Sequence, residues 1–445
     1  MKFCACIVLL VITLTPTLAS AQSADLIASD FDGSGRVDFS DFLEFASAFG
    51  KASGQEGFDT KYDLDGSGIV DFGDFLIFAS NFGDSTTEET STFLYIADFF
   101  SNRVEVIDIS TNLTIPTRAF TVPFPRGLAF GSQTDLIYVA SSDTLFAFTD
   151  GGQQAYFIEL TPVENPIAGT FSAPGGFKIT VNDGETRAFV SEDGAGLVEV
   201  LDLANRVSLG QIPVGESPGG LVLSADETEL FVGRRGESIA VVDVASQTLI
   251  DSIQTGSLAS TRIVTSPDGT RIYAIASRLD EGHASGTAVW VLALDPVSRS
   301  VVDSVQISRP ADLGTQPIDI SLSSGGGSLY VSVNRTDPGD LPDLTTLVQV
   351  GTLLTIDIAT FTVVDEISEL QLIFGFGITP DQETGYFSGI QDLNDPTFRI
   401  FVVDMLQGEL LSQLPVAVNS GAEFLFTTAK QAVRSALTYL ELSLF

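Results

Sequence analysis

Short apolar segments alternate with turn residues along most of the chain, and this spacing predicts many short β-strands. One signature recurs between about residues 93 and 430: an apolar strand with an aromatic residue, then a strand that ends in aspartate. Its seven copies carry their aromatic residue at Tyr95, Tyr138, Phe189, Phe231, Tyr273, Tyr330 and Tyr386, and the copy at Tyr138 has a degraded second strand near residues 146–148. Each unit has room for about four strands, which is typical of a propeller blade rather than of a sandwich. The sequence therefore predicts a mainly β fold, a seven-bladed β-propeller.

The two ends of this repeat region predict how the ring closes. The first unit starts directly with its aromatic strand at Phe93 and lacks the strand expected nearest the axis. A spare apolar strand, residues 423–427, follows the last unit. We expect this strand to complete the first blade, because a closed ring leaves no open sheet edge.

Residues before 84 follow a helical pattern instead. Phenylalanines recur at i, i+3 and i+7 in two segments, at Phe42, Phe45 and Phe49 and again at Phe75, Phe78 and Phe82. This spacing predicts two helices, each with one buried face.

An acidic loop of twelve residues precedes each predicted helix, at 30–41 and at 63–74. Oxygen-bearing residues occupy the positions that wrap a hard cation, and the glycine at position 6 allows the sharp turn. The first loop offers Asp30, Asp32, Ser34, the carbonyl of Arg36, Asp38 and Asp41. The second offers Asp63, Asp65, Ser67, the carbonyl of Ile69, Asp71 and Asp74.

The alternative is that both loops are merely acidic turns on an acidic protein. The two copies also agree outside the ligand positions, because Val37 and Val70 both occupy position 8. Paired loops form a short ladder at that position, so we expect Val37 to lie opposite Val70. The sequence therefore predicts an EF-hand-like module, residues 22–83, that binds two calcium ions.

Two features distinguish these loops from the usual EF-hand. Position 12 is aspartate rather than glutamate, and the segment before each loop is too short for a full entering helix. Both features resemble the dockerin type I repeat over about residues 25–83, which implies a paired module that docks onto cohesin domains. Dockerins tend to carry small hydroxyl residues at positions 10 and 11, where this chain has Phe39-Ser40 and Phe72-Gly73. We therefore assign these phenylalanines to the core and keep a cohesin-like partner as an alternative.

The repeat region is similar to the YVTN family of seven-bladed β-propellers. Two motifs match the consensus sequence of that repeat: Ile212-Pro213-Val214-Gly215 with Pro218, and Ser266-Pro267-Asp268-Gly269. The resemblance covers about residues 93–430 and implies the fold, but almost nothing about chemistry. Some similar propellers are lactonases or related hydrolases with a metal at the channel mouth, so a metal-dependent hydrolase is an alternative function.

The ends of the chain and its charge restrict the class of protein. Residues 1–21 are typical of a secretion signal, and they contain both cysteines, Cys4 and Cys6. The formal net charge of −37 disfavours nucleic acid and anionic lipid as partners, and no later segment is long enough to span a membrane. Residues 84–92 form a polar linker, and the tail 431–445 contains Leu437, Leu440, Leu442 and Leu444.

Candidate catalytic groups are few. The single histidine, His283, lies in a polar segment that we expect to be an exposed loop. The count of one excludes histidine-based triads and multi-histidine zinc or copper sites. Long connections at 162–175, 278–286, 308–316, 334–351 and 391–397 should share one face of the propeller, and acidic residues there could bind a metal or transfer protons: Asp337, Asp340, Asp343, Asp392 and Asp395.

These observations favour a secreted calcium-binding protein whose propeller is a recognition platform, and we name no catalytic residue. The partner would be a protein or a polysaccharide bound on the face with the long connections.

Overall fold

The computed structural model describes residues 29, 31–32, 37, 39–55, 57–81, 90–99, 101–162, 176–215, 217–236, 238–256, 262–323, 325–337, 348–370, 372–392, 395–414 and 422–430. The predicted signal segment and the predicted tail lie outside these residues. The chain forms two compact units, and the boundary between them falls at Ser91 and Thr92.

The first unit contains two helices, α1 (Phe39–Ala48) and α2 (Phe72–Asn81), and a short 3-10 turn, Thr60–Tyr62. Its core forms where the rings of Phe45 and Phe78 stack, with centroids 5.6 Å apart and planes 4° from parallel. Both rings are 1% exposed. Burying a side chain of this size contributes about 1.5 to 3 kcal/mol. The predicted helical periodicity is therefore confirmed at its central position in both copies.

Phe49 departs from the predicted buried stripe, because its side chain is 49% exposed. Helix α1 ends at Ala48, so the chain turns away before the stripe can continue to Phe49. Phe82, the matching residue of the second copy, lies outside the described residues.

The second unit is built from seven antiparallel sheets. The first contains β1 (Thr90–Asp98), β2 (Arg103–Asp108), β3 (Leu113–Thr114) and β4 (Phe120–Thr121). The second contains β5 (Gly127–Gly131), β6 (Leu136–Ala140), β7 (Thr144–Thr149) and β8 (Gln154–Glu159), and the third β9 (Gly176–Val181), β10 (Arg187–Glu192), β11 (Leu197–Asp202) and β12 (Val207–Pro213). The fourth contains β13 (Pro218–Leu223), β14 (Glu229–Arg234), β15 (Ser238–Asp243) and β16 (Thr248–Gln254), and the fifth β17 (Ile263–Thr265), β18 (Ile272–Leu279), β19 (Thr287–Asp295) and β20 (Ser300–Gln306). The sixth contains β21 (Gly314–Leu322), β22 (Ser328–Asp337), β23 (Val348–Asp357) and β24 (Thr362–Leu370), and the seventh β25 (Leu372–Ile378), β26 (Thr384–Asp392), β27 (Asp395–Asp404) and β28 (Glu409–Leu414).

The last strand, β29 (Ala422–Lys430), closes the ring by pairing with β1 in the first sheet. The predicted seven-bladed propeller and the predicted closing strand are both confirmed. The core supports the same arrangement, because apolar clusters lie between neighbouring blades around the whole ring. The cluster between the last blade and the first joins Tyr386 and Val402 to Leu94 and Ile107.

The aspartate that ends the repeat signature in six of the seven blades caps the turn after its strand, as two of them show. Oδ1 of Asp202 accepts a hydrogen bond from the backbone N–H of Asn205 at 2.7 Å, and Oδ1 of Asp243 accepts one from Ser246 at 2.7 Å. The hydrogen bond from the Asn205 N–H lowers the pKa of Asp202, and the hydroxyl and then the N–H of Ser246 lower the pKa of Asp243. The recurring aspartate is therefore explained by turn structure. None of the helices in the described ranges is long and apolar enough to cross a membrane.

Candidate functional site

The second acidic loop brings three of its predicted ligands together. One carboxylate oxygen each from Asp63, Asp65 and Asp74 lies within 4.8 Å of the others. Asp74 is fully buried, and Oδ1 of Asp63 is buried without a hydrogen-bond donor. Among the described residues, this is the one group of three or more carboxylate, histidine or cysteine side chains close enough to share a metal ion.

Asp74 also holds the backbone of the loop. Its Oδ1 accepts a hydrogen bond from the N–H of Asp65 at 3.0 Å, and its Oδ2 accepts one from Asp71 at 2.8 Å. Gly68, the glycine at position 6, has a φ of 86°, in the left-handed region, so it makes the sharp turn as predicted. The first turn of α2 thus delivers a buried carboxylate to the centre of the loop.

The other predicted ligands of the second loop lie outside this group of three. The hydroxyl of Ser67 donates to the carbonyl of Ile69 at 3.1 Å, so these two oxygens lie next to each other. Asp71 is exposed, and its Oδ1 accepts a hydrogen bond from the N–H of Gly73 at 2.7 Å. Position 9 of such loops often reaches the cation through a water molecule, which suits an exposed carboxylate.

The first loop repeats the central feature where the structure describes it. Asp41 is fully buried, and its Oδ1 accepts hydrogen bonds from the N–H groups of Phe31 at 2.7 Å and Asp32 at 3.1 Å. The carboxylate at position 12 therefore accepts from the N–H at position 3 in both loops. Asp30, Ser34, Arg36 and Asp38 lie outside the described residues.

The predicted pairing of Val37 with Val70 is wrong. The N–H of Val70 donates to the carbonyl of Lys51 at 2.9 Å, and its carbonyl accepts from Gly50 at 2.8 Å. The segment that leaves α1 therefore takes the place of the first loop beside Val70. Both valines are fully buried, so they share the core rather than a ladder.

The assignment of Phe39 and Phe72 to the core is also wrong. Phe39 is 62% exposed and Phe72 is 61% exposed. Leu43 and Leu76, one helical turn further on, are 56% and 55% exposed. In α1, Phe39 and Leu43 lie in the first half of the helix and face away from the buried Phe45. In α2, Phe72 and Leu76 have the same relation to Phe78. The two helices thus present matching apolar stripes to solvent.

The propeller carries its long connections on one face. We call this the long-loop face: the side on which the second strand of each blade ends and the third begins. Part of what the sequence assigns to loops is strand, because the β22–β23 pairing continues to Asp337 opposite Val348 and the β26–β27 pairing to Asp392 opposite Asp395. The β-branched residues in these segments favour the extended backbone. Asp340 and Asp343 lie outside the described residues.

A buried carboxyl pair on the third blade is absent from the sequence-based prediction. Glu192 ends β10, and Glu199 lies opposite Val190, two residues earlier on that strand. Side chains two residues apart point to the same face of a sheet, so the two carboxyl groups are diagonal neighbours. Glu192 is 1% exposed and Glu199 is fully buried.

Hydrogen bonds from neighbouring residues converge on one oxygen of Glu199. Oε1 of Glu199 accepts from the N–H of Thr161 at 3.1 Å, from its hydroxyl at 2.6 Å and from the hydroxyl of Ser208 at 2.5 Å. Burial, and next the charge of Glu199, raise the pKa of Glu192 to about 7. Oε2 of Glu199 is buried without a hydrogen-bond partner, and the neighbouring carboxyl group of Glu192 can donate to it when protonated.

A comparison of matching positions in the repeats would have predicted this pair. The first blade has carboxylates at the matching positions, Asp98 and Glu105, and there Arg103 forms an ion pair with Glu105 at 2.5 Å. The third blade has Leu197 where the first has Arg103. Comparing the blades position by position therefore shows an acidic pair that has lost its cation.

His283 is buried rather than exposed, which corrects the prediction from sequence. Its side chain is 4% exposed, and its Nδ1 lies 2.9 Å from the hydroxyl of Ser285. The segment folds back because the N–H of Ala284 donates to the carbonyl of Pro310 at 2.9 Å. Ala284 therefore attaches the β18–β19 connection to the connection before β21, and the histidine ring is buried within that connection.

Comparison with known proteins supports the fold and little more. No family model matches the chain. A segment of 144 residues is 26% identical to Antigen Lp49 of Leptospira interrogans serogroup Icterohaemorrhagiae serovar copenhageni (strain Fiocruz L1-130), covering 32% of this chain and 31% of that protein. The match thus spans about a third of the relative's length.

Solved structures share the propeller at low sequence identity. A protein of unknown function from Desulfotomaculum acetoxidans is 12% identical, with a TM-score of 0.56, over 75% of this chain and 98% of the other. A putative 6-phosphogluconolactonase from Bacteroides fragilis is 16% identical, with a TM-score of 0.54, over 77% and 100%. Kuenenia stuttgartiensis hydrazine synthase is 14% identical, with a TM-score of 0.52, over 68% and 95%. Likeness at this level of identity shows the fold alone.

Proposed function

We propose that this chain is a secreted calcium-binding protein, in which a dockerin-like pair of loops binds two calcium ions and the propeller is a recognition platform. The observation that carries the calcium proposal is the convergence of Asp63, Asp65 and Asp74, whose carboxylate oxygens lie within 4.8 Å of one another. Charged oxygens at this distance repel each other unless a cation or a proton lies among them.

The chemistry of this group suits calcium. Calcium is bound by several oxygen ligands, and this loop offers carboxylates, a hydroxyl and a carbonyl with no nitrogen or sulfur donor among its predicted ligands. The donor-free Oδ1 of Asp63 supports a ligand role, because a buried charged oxygen without a partner is costly. Extracellular calcium modules bind at about 0.1 to 1 mM, so such sites fill outside the cell.

Calorimetric titration of the mature protein tests this proposal. We expect two calcium ions to bind the wild type and none to bind the variant Asp30→Ala/Asp32→Ala/Asp63→Ala/Asp65→Ala, because two carboxylates are lost from each loop. The control is Asp303→Ala, which removes an exposed carboxylate on β20. It should keep both sites.

Two outcomes would contradict the proposal. No binding to the wild type would remove the calcium function altogether. Binding that survives in the quadruple variant would assign the metal to the propeller and favour the hydrolase alternative. At present that alternative lacks support among the described residues, because no group of three carboxylates converges on the described part of the long-loop face.

Docking through the calcium module is a second candidate function, and the exposed apolar stripes of α1 and α2 favour it. Phe39, Leu43, Phe72 and Leu76 are each more than half exposed. Exposed apolar patches on soluble proteins often mark interaction sites. Each position 12 carboxylate lies in the first turn of its helix, so calcium binding would fix the orientation of the stripes.

Binding to a purified type I cohesin domain tests docking. We expect it to require calcium and to weaken at least about tenfold in Phe39→Ser/Phe72→Ser, because each buried phenylalanine contributes more than 1.4 kcal/mol. Leu411→Ser, which alters a residue of β28 that is 57% exposed, is the control. Equal binding by the double variant, or binding that persists in chelator, would contradict docking through these stripes.

A further inference from the structure

The exposed apolar stripes of the two helices continue beyond their large residues. In α2, Phe72 and Leu76 are 61% and 55% exposed, and the exposed Ala79 follows on the same side of the helix. Small residues such as alanine allow another helix to approach closely. We call Phe72, Leu76 and Ala79 the α2 stripe, and the matching residues of α1, namely Phe39, Leu43 and Ala46, the α1 stripe.

The α2 stripe has the more apolar surroundings of the two. Next to Leu76, helix α2 has Ile77, where α1 has Glu44 next to Leu43. Oε2 of Glu44 lies 2.8 Å from Nζ of Lys61, so an ion pair borders the α1 stripe. The one charged residue of α2 is Asp74, which is fully buried. An apolar surface without charged neighbours gains most from being covered.

The tail that follows β29 has an apolar pattern that suits such a surface. Val433, Leu437, Leu440 and Leu444 recur at i, i+4, i+7 and i+11. This spacing predicts an amphipathic helix over 433–444, about 18 Å long, whereas the alternation typical of a strand covers only the last three leucines. Isolated helices of this length are marginal in water, so the predicted helix needs a surface for its apolar side.

Chain connectivity keeps the tail within reach of α2. In each of the other six blades the innermost strand is antiparallel to the next strand. On the same pattern, the end of β29 lies beside the start of β1, the strand with which it pairs. Helix α2 is joined to that start by residues 82–89, which span at most about 28 Å. The tail and the module are therefore tethered at neighbouring points.

The described part of the propeller offers a poorer surface to the tail. Most of its exposed large apolar side chains lie on the outermost strand of their blade, such as Leu249 of β16 and Leu411 of β28. The tail instead follows β29, the innermost strand of its blade. Charge also favours the module, because Lys430 and Arg434 begin the tail and residues 57–81 contain more carboxylates than cations.

We propose that the predicted helix 433–444 packs in cis on the α2 stripe and leaves the α1 stripe to a partner. Tethering gives the tail an effective concentration in the millimolar range, so a contact too weak to hold a free peptide still forms within the chain. The contact stands on the α2 stripe and the tail. Only the role of the α1 stripe rests on the docking function proposed above.

Disulfide formation tests the contact, because the chain after residue 21 contains no cysteine. Under mild oxidation in saturating calcium, Leu76→Cys/Leu440→Cys should form a crosslinked monomer. Thr438 lies on the opposite side of the predicted helix, about 10 Å away. The matched pair Leu76→Cys/Thr438→Cys should therefore crosslink at least about tenfold less, because a disulfide requires Cα atoms within about 7 Å. Leu411→Cys/Leu440→Cys measures random collisions with the propeller.

Calorimetry with a synthetic peptide of residues 431–445 identifies the stripe. We expect the chain truncated after Lys430 to bind this peptide at least about tenfold more tightly than the full chain, whose own tail competes. In the truncated chain, Phe72→Ser/Leu76→Ser should remove the binding. The matched control Phe39→Ser/Leu43→Ser should keep it. All four residues are more than half exposed, so both variants should fold.

Four results would overturn the proposal. Equal crosslinking of the Leu440→Cys and Thr438→Cys pairs would reject the helical contact. A crosslinked dimer instead of a monomer would mean that a second copy supplies the tail. Peptide binding that is lost only in the α1 variant would assign the tail to the α1 stripe, and binding that survives in both variants would assign it to the propeller. None of these measurements uses cohesin or counts calcium ions, so the proposed function is tested separately.

Discussion

Truncation of the chain after residue 421 is expected to abolish the folded propeller. The variant loses β29, which pairs with β1, and so exposes an edge whose side chains are buried in the native ring: Leu94, Tyr95 and Ile96 are each fully buried. Each lost backbone hydrogen bond costs about 1 kcal/mol. Loss of a whole strand pairing therefore removes a large part of the about 5 to 15 kcal/mol that stabilises a typical domain.

The matched control is truncation after Lys430, which keeps β29 and removes only the tail. Thermal unfolding followed by far-UV circular dichroism compares the two variants. We expect a cooperative transition in the control, and in the shorter variant either no transition or aggregation through the open edge of β1. An equal unfolding midpoint in both variants would show that β29 does not hold the ring closed.

The propeller could be predicted from sequence because each blade repeats the same local signals. An aromatic strand, a strand that ends in aspartate and a turn between them recur often enough to fix the number of blades and even the closing strand. Turn capping explains the recurrence, since Asp202 and Asp243 use the same oxygen for the same hydrogen bond. Local chemistry of this kind can be read from the chain alone.

The errors concern side chains whose environment depends on distant parts of the chain. The helical spacing of apolar residues gives no reason to expect that Phe39 and Phe72 are exposed. Each lies three residues before Phe42 or Phe75, which is the same spacing that predicts a buried face. His283 looks exposed by composition, yet Pro310 accepts a hydrogen bond from the next residue and covers the segment. The Glu192–Glu199 pair depends on strand register, which is visible only when blades are compared.

Replacing Glu192 by glutamine is expected to stabilise the propeller above neutral pH. The pKa of Glu192 is about 7 in the folded protein, against an ordinary value of 4.5. A raised pKa gives a contribution to stability that is complete below pH 4.5 and is lost as the pH rises through about 7. The shift sets this loss at no more than about 3 kcal/mol, since one pKa unit is 1.36 kcal/mol. Glutamine keeps a donor for Glu199 and has no proton to lose.

Urea unfolding in saturating calcium, at both ends of this pH window, measures the effect. The free energy of unfolding of the wild type should fall across the window, and that of Glu192→Gln should fall less. Glu159→Gln, an exposed change on β8 of the neighbouring blade, is the control and should follow the wild type. Leu197→Arg introduces the cation that Arg103 provides in the first blade. It should therefore also reduce the decrease in the free energy of unfolding, because it supplies a positive charge where Glu192→Gln removes a negative one. If both Glu192→Gln and Leu197→Arg keep the pH dependence of the wild type, Glu192 and Glu199 do not share a proton.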